Sequence, residues 1–138
     1  MTPFHLAFPI RDLEETRRFY GEVLGCPMGR SSETWIDFDL FGHQMSAHLR
    51  PEPDQPAATG AVDGEAVPIP HFGVVLAMDD WKALAARLEA ASDIDWILTP
   101  RVRFEGQPGE QATLFLRDPS GNALEFKGFA DLDQVFAT

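Results

Sequence analysis

Residues 70–81 read PHFGVVLAMDDW, and the pattern in them has already occurred once near the start of the chain. His71, Gly73, Val75 and Ala77 alternate with Phe72, Val74 and Leu76, the period of a strand. Asp79 and Asp80 then stand as candidate caps before a helix with apolar positions at Trp81, Leu84, Ala85 and Leu88. In residues 4–25, FHLAFPIRDLEETRRFYGEVLG, bulky Phe4, Leu6, Phe8 and Ile10 alternate with His5, Ala7 and Pro9. Asp12 with Glu15 forms a capping box. Leu13, Thr16, Phe19, Tyr20, Val23 and Leu24 follow at helical spacing, and Gly25 ends the helix. Strand patterns follow each helix: TWIDFDL (34–40) and HQMSAHL (43–49) after the first, then 96–104, QATLFLR (111–117) and NALEFKGF (122–129) after the second. Each half is therefore strand, helix, then two or three strands, an internal duplication. Between the halves, PEPDQPAATGAVDGEAVPIP (51–70) is rich in Pro, Gly, Ala and acid and reads as a linker or exposed loop.

The repeat sets the functional question, because it aligns His5 with His71, and Gly42 with Gly121, which brings Ser46 opposite Glu125. The bulky face of each strand packs under the helices. The other face carries His5 beside Ala7, His71 beside Gly73, and Glu125 beside Ala123, small neighbours that leave room. Alone, a strand histidine is usually satisfied or exposed, and a strand glutamate faces water. Together, two histidines and a carboxylate at equivalent positions make the minimal donor set for a divalent metal with open coordination positions.

Bulk properties narrow the classes. The chain has 138 residues and 44% hydrophobic content, enough for one domain with a real core. Its net charge of −11, with the acids dispersed, disfavours nucleic acid as a partner. No apolar run is long enough to span a bilayer, and the first residues lack a signal-peptide pattern. Cys26 is the only cysteine, so it reads as a small core hydrophobe, and the expected location is the cytoplasm.

Three stretches carry a resemblance to a known family: FHLAFPIRDLEETRRFYGEVLG, PHFGVVLAMDDW and, most specific, RDPSGNALEF (117–126). The chain resembles the vicinal oxygen chelate superfamily, which includes glyoxalase I, extradiol dioxygenases, fosfomycin-resistance proteins and bleomycin-binding proteins. The resemblance implies an α+β fold of two tandem βαβββ modules whose curved mixed sheets form a cup around a metal. Module one spans 1–50, a linker 51–67, module two 68–130 and a C-terminal tail 131–138. The resemblance makes His5, His71 and Glu125 the metal ligands. At the position where some members add a fourth ligand this chain has Ser46, a poor donor, which favours a three-ligand site.

Alternation puts further residues on the expected cup face. His48 is the expected catalytic proton carrier, with Arg103 beside the chemistry. Trp35, Asp37, Gln44 and Arg101 are the expected substrate contacts, the arginines for a carboxylate or phenolate and Trp35 for an aromatic ring. His43 falls on the other face. The expected function is a small metal-dependent enzyme, foremost an extradiol-type dioxygenase using one divalent ion. Fe(II) is favoured over Mn, Ni, Co or Zn. A glyoxalase I-like lyase or isomerase, or a non-catalytic antibiotic-binding protein, is the alternative. A small-molecule substrate, no membrane partner and a homodimer complete the expectation, with His5 supplied by the same chain or by its partner.

Overall fold

The computed structural model describes residues 1–50, 58–62 and 65–138. The chain forms two compact units. The first holds the N-terminal module together with the turn Asp118–Gly121, and the second holds the remainder from residue 57 onward.

The first unit begins with β1 (His5–Ile10) and α1 (Leu13–Arg17). The Asp12 carboxylate accepts the Glu15 backbone N–H at 2.9 Å, as the capping box predicts. The helix widens into a π-helical stretch, Arg18–Val23, and Gly25, at φ 78°, ends it in the left-handed region. Strands β2 (Met28–Ser31), β3 (Trp35–Leu40) and β4 (His43–Leu49) complete a sheet of order β1-β4-β3-β2. β1 runs parallel to β4, with His5 opposite Gln44 and Ala7 opposite Ser46. Period two sorts the side chains: Ile36, Phe38, Leu40, Met45 and Ala47 are buried against the helix. Tyr20 is the hub, its ring 5.4 Å from Phe8, 4.9 Å from Phe19 and 5.3 Å from Phe38. Phe4, expected in this face, is 63% exposed and precedes the strand. Cys26 is buried as a small hydrophobe.

The second unit opens where a linker was expected. Backbone strands β5 (Ala58–Val62) and β6 (Glu65–Ile69) pair antiparallel, and Val67 is fully buried against Leu98 and Phe115. The C-terminal part of the expected linker is therefore a hairpin that contributes to a core; residues 51–57 lie outside the described residues. Next come β7 (Val75–Ala77), α2 (Met78–Ala90), β8 (Asp95–Arg103), β9 (Gln111–Arg117) and β10 (Ala123–Phe129). Their sheet order, β7-β10-β9-β8, repeats the first unit's order with the same parallel pairing of first and last strand. Each unit contains a βαβββ module, and the fold is α+β with two tandem modules. Leu13–Val23 and α2 are the crossovers that parallel pairing requires.

Two local expectations change. Asp79 and Asp80 lie inside the first turn of α2 and make no side-chain cap; their charge instead complements the helix N-terminus. The strand expected over 70–77 is regular only from Val75, although residues 72–74 still bond β10: Glu125 N–H donates to Phe72 O at 2.8 Å and Lys127 N–H to Val74 O at 3.1 Å. The tail holds a 3-10 turn, Leu132–Phe136. Among the described residues no helix is long and apolar enough to cross a membrane.

Candidate metal centre

The second unit brings His71 and Glu125 together. The Glu125 side chain is 7% exposed, so it does not sit on a wet face. Such burial of a carboxylate demands partners. Thr113, on the neighbouring strand, donates its hydroxyl to Oε2 at 2.6 Å. The other oxygen, Oε1, lies 3.3 Å from Nε2 of His71. His71 is held from behind, because Nδ1 is 2.7 Å from the Pro68 carbonyl oxygen. A carbonyl only accepts, so Nδ1 carries a proton, and whenever the ring is neutral Nε2 presents a lone pair. The ring also stands edge-on to Phe115, centroids 4.9 Å apart.

With the ring neutral, Nε2 and Oε1 are two lone-pair donors facing each other, a contact relieved by a proton on Nε2 or by a cation between them. Donors each about 2.1 Å from one ion stand about 3.0 Å apart at a right angle and about 3.4 Å apart at a tetrahedral angle. The observed 3.3 Å falls within that span. The supporting hydrogen bonds, from His71 to the Pro68 carbonyl and from Thr113 to Glu125, are the outer contacts that metal-binding histidines and carboxylates need. The pair thus fits a divalent ion. Among the described residues no group of three or more His, Cys, Asp or Glu is gathered closely enough to hold one.

Gly73 makes this approach possible. A Cβ on Gly73 would lie 1.6 Å from the Glu125 carbonyl oxygen and 2.7 Å from its carbon. The sequence pattern suggests that Gly73 leaves room for a ligand, whereas the backbone of Glu125 fills that space.

The first unit presents His5 on its own. Nδ1 of His5 lies 2.9 Å from Oε1 of Gln44. The Gln44 amide nitrogen donates to Oδ2 of Asp37 at 3.2 Å, and the Ser46 hydroxyl donates to Oδ1 at 2.6 Å. Ser46 is thereby committed to Asp37. Asp37 is 9% exposed and has hydrogen bonds on both oxygens. Asp37 and Gln44 also line an open groove of about 580 Å³ in this unit, with Asp39, His43, Phe38 and Met28 among its walls. His43, set aside by strand parity, reaches the groove from the start of β4, and its Nδ1 accepts the Phe4 N–H at 2.8 Å.

The remaining expected residues stand on β3, β4 and β8. His48 is exposed on β4, paired with Pro9 on one side and half-buried Trp35 on the other. Arg101, half-buried, stands opposite Thr113 on β9. Arg103 is exposed at the end of β8, its guanidinium 5.0 Å from the Phe104 ring centre. Thr113 and the Pro68 carbonyl escaped sequence reasoning. Thr113 shares a strand face with Glu125, a signal that was available; a backbone carbonyl leaves no trace in a sequence.

The family model of the Glyoxalase/Bleomycin resistance protein/Dioxygenase superfamily matches residues 2–126. No curated protein matches the chain. Among solved structures, a glyoxalase/bleomycin resistance protein/dioxygenase from Alicyclobacillus acidocaldarius is 33% identical, covering 98% of this chain and 96% of that one, with TM-score 0.78. A virulence protein from Salmonella typhimurium (22% identical, 94% and 97% covered, TM-score 0.62) shares the fold. So does the fosfomycin resistance protein FosX from Listeria monocytogenes (14% identical, 97% and 95% covered, TM-score 0.65). By the family match and by the Alicyclobacillus relative, the chain belongs to the glyoxalase/bleomycin resistance protein/dioxygenase superfamily.

Proposed function

We propose that the protein is a divalent-metal-dependent enzyme that binds its small-molecule substrate through two neighbouring oxygens, and that its reaction is extradiol-type ring cleavage with Fe(II). The observation that carries the reading is the opposed pair of lone-pair donors, His71 Nε2 and Glu125 Oε1 at 3.3 Å, each held from behind. His5, whose Nε2 is left free by the bond at Nδ1, is the third donor. The commitment of Ser46 to Asp37 supports three protein ligands rather than four, which suits a reaction needing positions for two substrate oxygens and dioxygen. When bound, the ion supplies charge that favours the ionised substrate. His48 carries a substrate proton, Arg101 and Arg103 attract the substrate anion, and Trp35 stacks on its ring.

We further propose a homodimer, with His5 supplied either within the chain or by its partner. Anaerobic reconstitution with Fe(II), followed by a catechol panel read by ring-cleavage absorbance, tests the reaction. Turnover is expected, with one ion per chain by elemental analysis. Metal binding without catechol cleavage overturns the dioxygenase reading and leaves the glyoxalase-like one; no metal binding overturns both and leaves antibiotic binding. Refolding His5→Ala with Glu125→Ala tests the sharing of the site: restored metal binding in mixed dimers means that His5 crosses between chains.

A further inference from the structure

We propose that Asp37 is a positioning residue that acts through Gln44 to fix which nitrogen of His5 carries the proton. The inference rests on the reading of His5 as a ligand only for its purpose; the geometry stands without it. Asp37, as a carboxylate, can only accept. It therefore takes the Ser46 hydroxyl on Oδ1 and the Gln44 amide nitrogen on Oδ2. Once the amide nitrogen is turned to Asp37, the amide oxygen must face His5. An oxygen facing Nδ1 at 2.9 Å requires the proton on Nδ1. The lone pair is then on Nε2. Three hydrogen bonds, each with only one possible donor, run from a buried carboxylate to an exposed ring.

The duplicated module provides an independent check. By register, Ser46 corresponds to Glu125, Gln44 to Ala123, and Asp37 to Phe115. In the second unit Ala123 cannot reach a histidine, and His71 is held instead by the Pro68 carbonyl and the edge of Phe115. The two modules use unrelated partners, one a side-chain relay and one a backbone carbonyl. Both put a proton on Nδ1, so that in the neutral ring the lone pair is on Nε2. Such agreement between different devices is expected when the state of Nε2 is what matters, and it is not required by packing. Asp37 thereby acts on the ring through Gln44 and not by direct contact.

The test is the long-range proton–nitrogen spectrum of the metal-free, histidine-labelled protein at about pH 8, above the usual histidine range. His5 and His71 are both expected with Nδ1 protonated. Asp37→Ala frees the Gln44 amide, and Gln44→Leu removes the acceptor. In each, His5 is expected to shift towards a protonated Nε2 while His71, held by backbone, stays unchanged and reports an intact fold. Should Asp37→Ala disturb His71 as well, Asp37→Leu keeps the volume and carries the same expectation. A protonated Nε2 on His5 in the unmodified protein overturns the inference, as does an unchanged His5 in the Asp37 variant that retains the His71 signal. Titration with cobalt(II) alone separates this from the metal reading: binding about 10- to 100-fold weaker in the same variant is expected. A switched His5 with unchanged cobalt affinity leaves the Asp37 relay standing and removes His5 from the metal site.

Discussion

Replacing Gly73 by alanine tests the structural basis of the candidate centre most directly. Gly73 is not among the glycines in the left-handed region, so backbone conformation alone tolerates alanine. Space does not. The new Cβ would meet the Glu125 carbonyl oxygen at 1.6 Å, against an ordinary contact of 3.4 Å. The two segments must separate by 3.4 − 1.6 = 1.8 Å, and neither atom belongs to a side chain that can swing away. The bonds from Glu125 N to Phe72 O (2.8 Å) and from Lys127 N to Val74 O (3.1 Å) flank the contact and cannot survive such a shift. Losing two backbone bonds costs about 1–3 kcal/mol net. Forcing extra volume into a packed site costs a further ~1–3 kcal/mol. The expected destabilisation is thus about 2–6 kcal/mol, a large part of the ~5–15 kcal/mol that holds a domain folded. In urea, with a slope of about 2 kcal/mol/M, the midpoint falls by ~1–3 M. His71 lies two residues away, so its 3.3 Å spacing to Glu125 is lost with the pairing, and metal affinity falls alongside stability. A midpoint within about 0.5 M of the unmodified protein, with metal affinity intact, would refute the claim that this close approach builds the site.

Other outcomes follow from single contacts. Thr113→Val keeps the shape but removes the 2.6 Å bond to Glu125 Oε2, and metal affinity by calorimetry is expected to drop about tenfold or more with the fold intact. Tyr20→Phe takes the hydroxyl, 2.9 Å away, from the buried Asp118 carboxylate and is expected to cost about 1–3 kcal/mol in chemical denaturation. Burial, and after it the charge of Asp118, raises the Tyr20 pKa well above its ordinary value. The unfolded chain ionises this tyrosine near pH 10, so the folded form binds the extra proton and stability falls as pH rises beyond about 10. Tyr20 is the only tyrosine, so tyrosinate absorbance should appear with unfolding and not before it, and Tyr20→Phe should flatten the alkaline limb.

The duplication was legible because period two and helical spacing recur in the same order, and the shared sheet order confirms it. The Asp12 cap was legible because a carboxylate three residues before the amide that donates to it is a local device. The hairpin of β5 and β6 was hidden by composition. Its proline and alanine content suggested a linker, yet Asp63-Gly64 between ATGAV and EAVPI is the dipeptide that favours tight hairpin turns. Strand β2, MGRS, is exposed throughout, so no hydrophobic alternation announced it. Gly73 was misjudged because a sequence shows that a residue is small, not which atoms occupy the space it vacates.

The outer contacts of the candidate donors show most clearly what sequence leaves out. The repeat and the family resemblance single out Glu125 and His71, but neither shows Thr113 and His71 standing against its two oxygens. In the first module the carboxylate and hydroxyl exchange strands: Asp37 on β3 accepts from Ser46 on β4, whereas Glu125 on β10 accepts from Thr113 on β9. A carboxylate on β3 is bonded to both Gln44 and Ser46; one on the last strand is bonded by a single hydroxyl and turns its other oxygen to His71. On the proposed reading, the same two functional groups, exchanged between neighbouring strands of a repeated sheet, separate a support from a donor. On the same reading, that exchange is the reason Ser46, at the position equivalent to Glu125, is not a fourth ligand. A hydroxyl already spent on a buried carboxylate has a hydrogen bond to lose and little basicity to offer a metal.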